Sequence, residues 1–166
     1  MISNLGLIEG LPSWLKVFLL SMIPVLELRA SIPWALHHYH DLSHSEIVFW
    51  AFLGNLFPNF FILLLLPKIT AFARRYCRFL DRELNKLFAK TRKEHSKKFK
   101  TFGALAIIIF VGTPIPGSGS WTGSLVAWLF GVKYWKAIAL ISIGIGIAGA
   151  IIFSASLGVM TIWDAF

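Results

Sequence analysis

The sequence predicts an all-α integral membrane protein. It is expected to be an inverted repeat, each copy a re-entrant helical hairpin followed by a transmembrane helix, with an amphipathic cytoplasmic linker helix between the copies. Three observations predict this. The chain has 166 residues and is 57% hydrophobic and only 14% charged, where soluble domains carry about 25% charged residues. No Asp, Glu, Lys or Arg occurs in residues 47–67, 101–132 or 137–163. Two of the apolar segments are broken into short arms, and two are long enough to cross a membrane. A chain this short cannot surround several such stretches with its own core, so lipid is the solvent they imply.

Residues 47–66 form a 20-residue apolar run, and residues 137–160, rich in Gly and other small residues, form a second. About 20 helical residues cross the hydrocarbon, so both are long enough to span. The first broken segment, 11–36, has an apolar arm at 17–23 that meets Pro24, then Glu27 and Arg29, then Pro33. The second, 102–130, has an arm at 104–111 that meets Gly112, Pro114, Pro116, Gly117 and Gly119, and resumes near Leu125. Arms of about 7 to 12 residues reach roughly 10 to 18 Å, around half of the bilayer core. Pro removes backbone donors and Gly favours turns. Polar backbone freed at membrane depth must be buried in protein or face a wet cavity. Both segments therefore read as re-entrant hairpins, with two kinked full spans as the rival reading.

The halves resemble each other at an offset of ninety: Pro24 matches Pro114, Ala35 falls opposite 125–127, and Gly54 matches Gly144. The order of elements repeats as well, and one full span between the copies inverts the second. Inverted repeats with discontinuous helices meeting near the midplane are a carrier architecture. The chain is read as a single membrane domain, 1–166, with repeats at 11–66 and 102–160 and a basic linker at 68–100.

The net charge of +8 is local, because 68–100 holds twelve of the sixteen basic residues and three of the eight acidic ones. A basic stretch between apolar segments points to positive-inside topology, not to nucleic acid, and places 68–100 in the cytoplasm of an inner-membrane protein. Phe72, Tyr76, Phe79, Leu80, Leu84, Leu87 and Phe88 recur at steps of three and four among Arg74, Arg75, Arg78, Arg82, Lys86 and Lys90. That pattern predicts an amphipathic helix on anionic lipid, or a solvated linker that sets topology. Cys77 is the only cysteine, so an internal disulfide is excluded. The N-terminus has no basic n-region, and no removable signal peptide is expected.

Glu27 and Arg29 are the main candidates for function. Ionisable residues in a membrane segment are costly and are tolerated in a bundle interior or a wet cavity. Two apart on a helix, they would not face each other, but at a hairpin tip both could enter one cavity. Arg29 would clamp an anionic headgroup, and Glu27 would carry a coupling proton. The bland alternative is a shallow segment with both side chains reaching water. The second candidate runs from Thr113 through Pro114, Pro116, Gly117, Ser118, Gly119 and Ser120 to Thr122. Its glycines expose N–H groups, and a helix starting near Trp121 would aim its positive end at the same place. It lacks the Gly-Lys-Ser/Thr of a nucleotide loop, and a plain structural turn is the alternative. The expectation is one midplane cavity holding Glu27, Arg29 and this segment. Asn55 and Asn59, in the first span, are expected to line it or to bond a hairpin. His37, His38, His40 and His44 crowd a loop beside Asp41, read as interfacial and not as a metal site. No cofactor is expected, and no nucleophile–base set marks an enzyme.

The motifs Glu-Leu-Arg-Ala-Ser-Ile-Pro (27–33), Leu-Gly-Asn-Leu-Phe-Pro (53–58) and Gly-Thr-Pro-Ile-Pro-Gly-Ser-Gly-Ser-Trp-Thr-Gly (112–123) resemble those of the small multi-drug export family, related to the DedA (VTT-domain) membrane proteins. The resemblance spans about 14–158. It implies two opposed re-entrant hairpins and a role in lipid handling, such as returning undecaprenyl phosphate across the membrane. The expected function is a transporter or flippase, with proton coupling at Glu27, for an amphipathic or lipid-linked anion or a drug-like export substrate. A non-transporting scaffold or homeostasis factor is the alternative. So short a chain needs a second copy to enclose a pathway, which predicts a homodimer with anionic lipids as partners.

Overall fold

The computed structural model describes residues 10–76, 82–83, 85–86, 89–90, 93, 103–115 and 118–164, with 73–75 and 162–164 by backbone alone. Among them are six helices and no strand: α1 (Ser13–Met22), α2 (Glu27–His38), α3 (His44–Tyr76), α4 (Leu105–Gly112), α5 (Ser120–Leu129) and α6 (Tyr134–Asp164). Two compact units divide the chain, Met1–Phe57 with Ala148–Phe166, and Pro58–Ile147. Both boundaries fall inside the long helices α3 and α6.

Helix length separates the elements into two kinds. α3 has 33 residues and α6 has 31. At 1.5 Å per residue they measure roughly 50 and 46 Å, more than the about 30 Å of a hydrocarbon core. Within them, His44–Phe72 and Tyr134–Thr161 are long and apolar enough to cross a membrane, with mean hydropathy 1.9 and 2.4. α1, α2, α4 and α5 have 10, 12, 8 and 10 residues. At the same rise they reach only about 12 to 18 Å.

Local chemistry sets the ends. Pro24 biases Ile23 to extended backbone, and Ile23 has ψ 126°, which stops α1. A capping box starts α3: Ser43 N–H and Ser43 Oγ donate to Glu46 Oε2 at 2.8 and 2.6 Å, and Glu46 N–H donates to Ser43 Oγ at 3.3 Å. The sequence reading treats the span at 47–66 and the linker from 68 as separate segments, and α3 runs on from one into the other, through Pro67 to Tyr76. Thr70 Oγ1 back-bonds there to the Leu66 and Pro67 carbonyls, at 2.8 and 3.0 Å. The hydrophobic face expected at Phe79, Leu80, Leu84, Leu87 and Phe88 lies outside the described residues, as does Arg78. Of the linker charges, Lys86 Nζ meets Glu83 Oε1 at 2.7 Å on the surface.

In the first unit Val17, Leu28, Ile32, Ala35, Ile47 and Ala51 are fully buried. The chain folds back between α1 and α2. Ser21 and Ser31 have hydroxyl oxygens 2.5 Å apart, whereas ten residues of straight helix would separate them by about 15 Å. Ser21 donates to the Val17 carbonyl at 2.9 Å, so Ser31 donates to Ser21. A Cβ on Gly54 of α3 would overlap the Phe18 carbonyl oxygen of α1.

In the second unit Ile107, Ala127, Ala137, Ile141 and Ile145 are fully buried. α4 and α5 pack together, and a Cβ on Gly123 would overlap Val111 Cγ2. A Cβ on Gly144 of α6 would lie 3.2 Å from the Ile108 carbonyl oxygen and 2.7 Å from Val111 Cβ. Gly54 and Phe18 stand ninety residues before Gly144 and Ile108. The same interval separates the ends of α1 and α4, and the starts of α3 and α6.

The long helices also present large apolar side chains outward: Phe49, Phe57, Phe61 and Leu64 on α3, and Ile143, Ile151 and Val159 on α6. Surfaces of this kind suit lipid, not water.

Candidate substrate site

The turn of the first hairpin is built from short-range backbone bonds. Leu26 and Glu27 N–H groups donate to the Ile23 carbonyl at 3.1 and 2.9 Å. Glu27 opens α2 with φ 47°, in the left-handed region, and is 4% exposed. Its Oε2 lies 4.0 Å from Arg29 Nε, an ion pair just beyond hydrogen-bond length. Helical spacing alone keeps residues two apart from facing each other. The left-handed backbone at Glu27 removes that constraint. Arg29 remains about a fifth exposed, so its guanidinium is reachable while the carboxylate is enclosed. One turn on, Pro33 sits inside α2 and supplies no N–H to the helical ladder at Arg29.

Beside the pair, Leu20, Leu26, Ala30, Ser31 and Trp34 line an apolar cavity of about 40 Å³. It is large enough for a water molecule or a methyl group and too small for a substrate. Asn55, on α3 of the same unit, is 2% exposed. Two histidines of this unit are engaged with aromatic rings. His38 stacks on Trp34 with ring centroids 3.9 Å apart, and His44 meets Phe153 edge-on. Among the described residues no three His, Cys, Asp or Glu side chains converge as a metal set would.

The second hairpin turn is organised by hydroxyls. Thr113 Oγ1 donates to the Ile109 carbonyl at 2.6 Å. Ser118 Oγ lies 2.7 Å from the carbonyls of both Thr113 and Ile115 and donates to them. Pro114 and Ile115 are exposed, Gly119 and Ser120 are buried, and Thr122 is half-buried. Pro116 and Gly117 lie outside the described residues. Gly119 caps α5 in extended conformation, without a side-chain bond to the first turn. α5 starts at Ser120, one residue before the start read from the sequence.

Two buried polar contacts were not marked as pairs by the sequence. Ser124 Oγ donates to Asn59 Oδ1 at 2.7 Å, with both residues fully buried. Ser120 and Ser124, one turn apart on α5, were the available signal for a polar face. Trp121 Nε1, on the same helix, is a buried donor with no hydrogen-bond partner. The Ser21–Ser31 contact had no signal, because either serine could equally have faced its own helix.

Long apolar helices, half-length helices that fold back, and a part-buried ion pair at one fold define a helical membrane protein. A family model described as "Putative small multi-drug export protein" matches residues 27–151. The chain belongs to that family, whose name denotes a transporter-like role. Comparison with curated proteins and with solved structures gives no match.

Proposed function

We propose that the chain is a small carrier that exports an amphipathic anion, lipid-linked or drug-like, and that Glu27 and Arg29 bind it. The observation that carries this reading is the ion pair at the turn of a half-length hairpin, its carboxylate buried and its guanidinium partly exposed. A charged residue at the centre of a spanning helix costs about 2.5 to 3.5 kcal/mol on insertion scales. A turn with only a structural role is better served by Gly at a left-handed position. Arg29, partly reachable, offers a planar fork suited to phosphate or carboxylate. Glu27 takes up a proton from one face of the membrane and releases it to the other. Each hairpin turn is a substrate-contacting segment in its own right, the second through Thr113–Thr122.

The segments 11–66 and 102–160 are read as two copies of one plan, a re-entrant hairpin followed by a span. The matching helix ends and the paired glycine contacts ninety residues apart support this reading. It is also the plan that a DedA relationship implies. The protein sits in the inner membrane with residues 68–100 cytoplasmic, against anionic lipid, and works as a homodimer.

Complementation of a deletion strain tests the mechanism, with membrane levels followed by immunoblot. Glu27→Gln and Arg29→Ala should reach the membrane at normal levels and fail to complement. Native mass spectrometry of the purified protein should recover a bound anionic amphiphile that Arg29→Ala loses. Full complementation by both variants would overturn the carrier reading and leave a scaffold.

A further inference from the structure

Glu27 combines two unfavourable features. Among the described residues it is the one non-glycine with positive φ, and it is a buried carboxylate. Non-glycine residues occupy that region in only a few per cent of cases. The two features are geometrically linked. In a regular helix the Glu27 and Arg29 side chains would diverge, and the left-handed backbone at residue 27 brings them to 4.0 Å. The flanking backbone is already helical: Leu26 has φ −84° and ψ −53°, and α2 follows directly. Ala30 N–H already donates to the Leu26 carbonyl at 3.0 Å, so a change at residue 27 alone, from left-handed to right-handed, would redirect α2 relative to the turn that closes the hairpin.

We propose that Glu27 is a charge-latched hinge. Its ionised carboxylate, paired with Arg29, holds residue 27 left-handed, and loss of that charge lets the residue turn right-handed and opens the α1–α2 hairpin. The proposal rests on the reading of this hairpin as a substrate-contacting element, and it gives that element its moving part. The charged and titratable groups on the surrounding elements are few. They are Lys16 on α1, Arg29, His37 and His38 on α2, and His44 and Glu46 at the start of α3. None occurs at 47–57 or 148–161. Lys16 stands over the Tyr39 ring at 5.9 Å, and Glu46 is held by Ser43.

Closure of the hairpin can be read from Ser21 and Ser31, whose side chains touch. Ser21→Cys and Ser31→Cys are introduced together into full-length protein carrying Cys77→Ser. The rate of disulfide formation under a mild oxidant is followed by gel shift after thiol capping. With Glu27 in place the rate should be high. Glu27→Gln and Glu27→Ala, which lose the charge but keep a Cβ, should slow it about tenfold, in line with the usual penalty for a left-handed non-glycine residue. Glu27→Gly also lacks the charge, but adopts the left-handed form freely, and should restore the parent rate. Two results would overturn the hinge: parent-like rates in Gln and Ala, or a Gly variant as slow as they are. Cross-linking is read without substrate. Complementation without Glu27 would therefore sink the transport reading alone, and equal cross-linking rates would sink the hinge alone.

Discussion

Gly54→Ala probes how α1 is held against α3. An added Cβ would overlap the Phe18 carbonyl oxygen, approach the carbonyl carbon to 2.9 Å and reach Cα at 3.0 Å. Close carbon–oxygen contacts settle at about 3.3 to 3.6 Å, so α1 must withdraw by about 1 Å. The obstacle is backbone, so no rotamer change relieves it. Overpacking of this kind costs about 1 to 3 kcal/mol, and the better helix propensity of Ala returns at most about 1 kcal/mol. The net expectation is a loss of about 1 to 2 kcal/mol. Gly149→Ala is the control, since nothing lies within 4 Å of its added Cβ and only the propensity gain remains. Thermal unfolding in detergent, followed by circular dichroism, compares the two. At about 2 to 4 °C per kcal/mol for a chain of this size, Gly54→Ala should melt several degrees below Gly149→Ala. Gly54→Ala melting at or above the parent would refute the close approach of α1 to α3.

The buried Asn59–Ser124 hydrogen bond should show a coupling energy of about 0.6 kcal/mol, and at most about 1.7, in a double-mutant cycle of Asn59→Leu and Ser124→Ala. Strict additivity would mean that the contact contributes nothing. Re-entrant hairpins put Lys133 on the cytoplasmic side, and kinked full spans put it outside. Lys133→Cys in a Cys77→Ser background should therefore resist an impermeant thiol reagent in intact cells, and labelling from outside would rule out re-entrance.

Much of the helical layout was legible because it follows from local chemistry. Pro24 and the Gly112–Pro114 pair end apolar arms whatever surrounds them, so the short lengths of α1 and α4 could be read directly. Pro58 and Pro67 do not end α3: each costs a backbone donor, and a helix of 33 residues absorbs both losses. The ion pair at the first hairpin turn was half legible. The residue types gave the candidates, but i,i+2 spacing argued against contact, and only a left-handed Glu27 reconciles the two. Nothing in a sequence announces a strained φ at a non-glycine residue. The Asn59–Ser124 contact bridges sixty-five residues. Sequence pattern shows which face is polar, and not which polar group it will meet.

The shortness of four of the six described helices bears on how the chain is made. A segment reaching only about 12 to 18 Å gains too little from lipid to partition on its own. Such a segment must wait at the insertion machinery until a longer neighbour emerges to shelter its turn. For α1 and α2 the neighbour is α3, which follows within a few residues. For α4 and α5 it is α6, which also follows within a few residues but takes 31 residues to complete. At about 5 to 20 residues per second, the second hairpin waits seconds with its Pro- and Gly-rich turn unsheltered. Quality-control proteases have that interval in which to act, and variants that weaken α6 should be lost during biogenesis before any defect in the finished protein is felt.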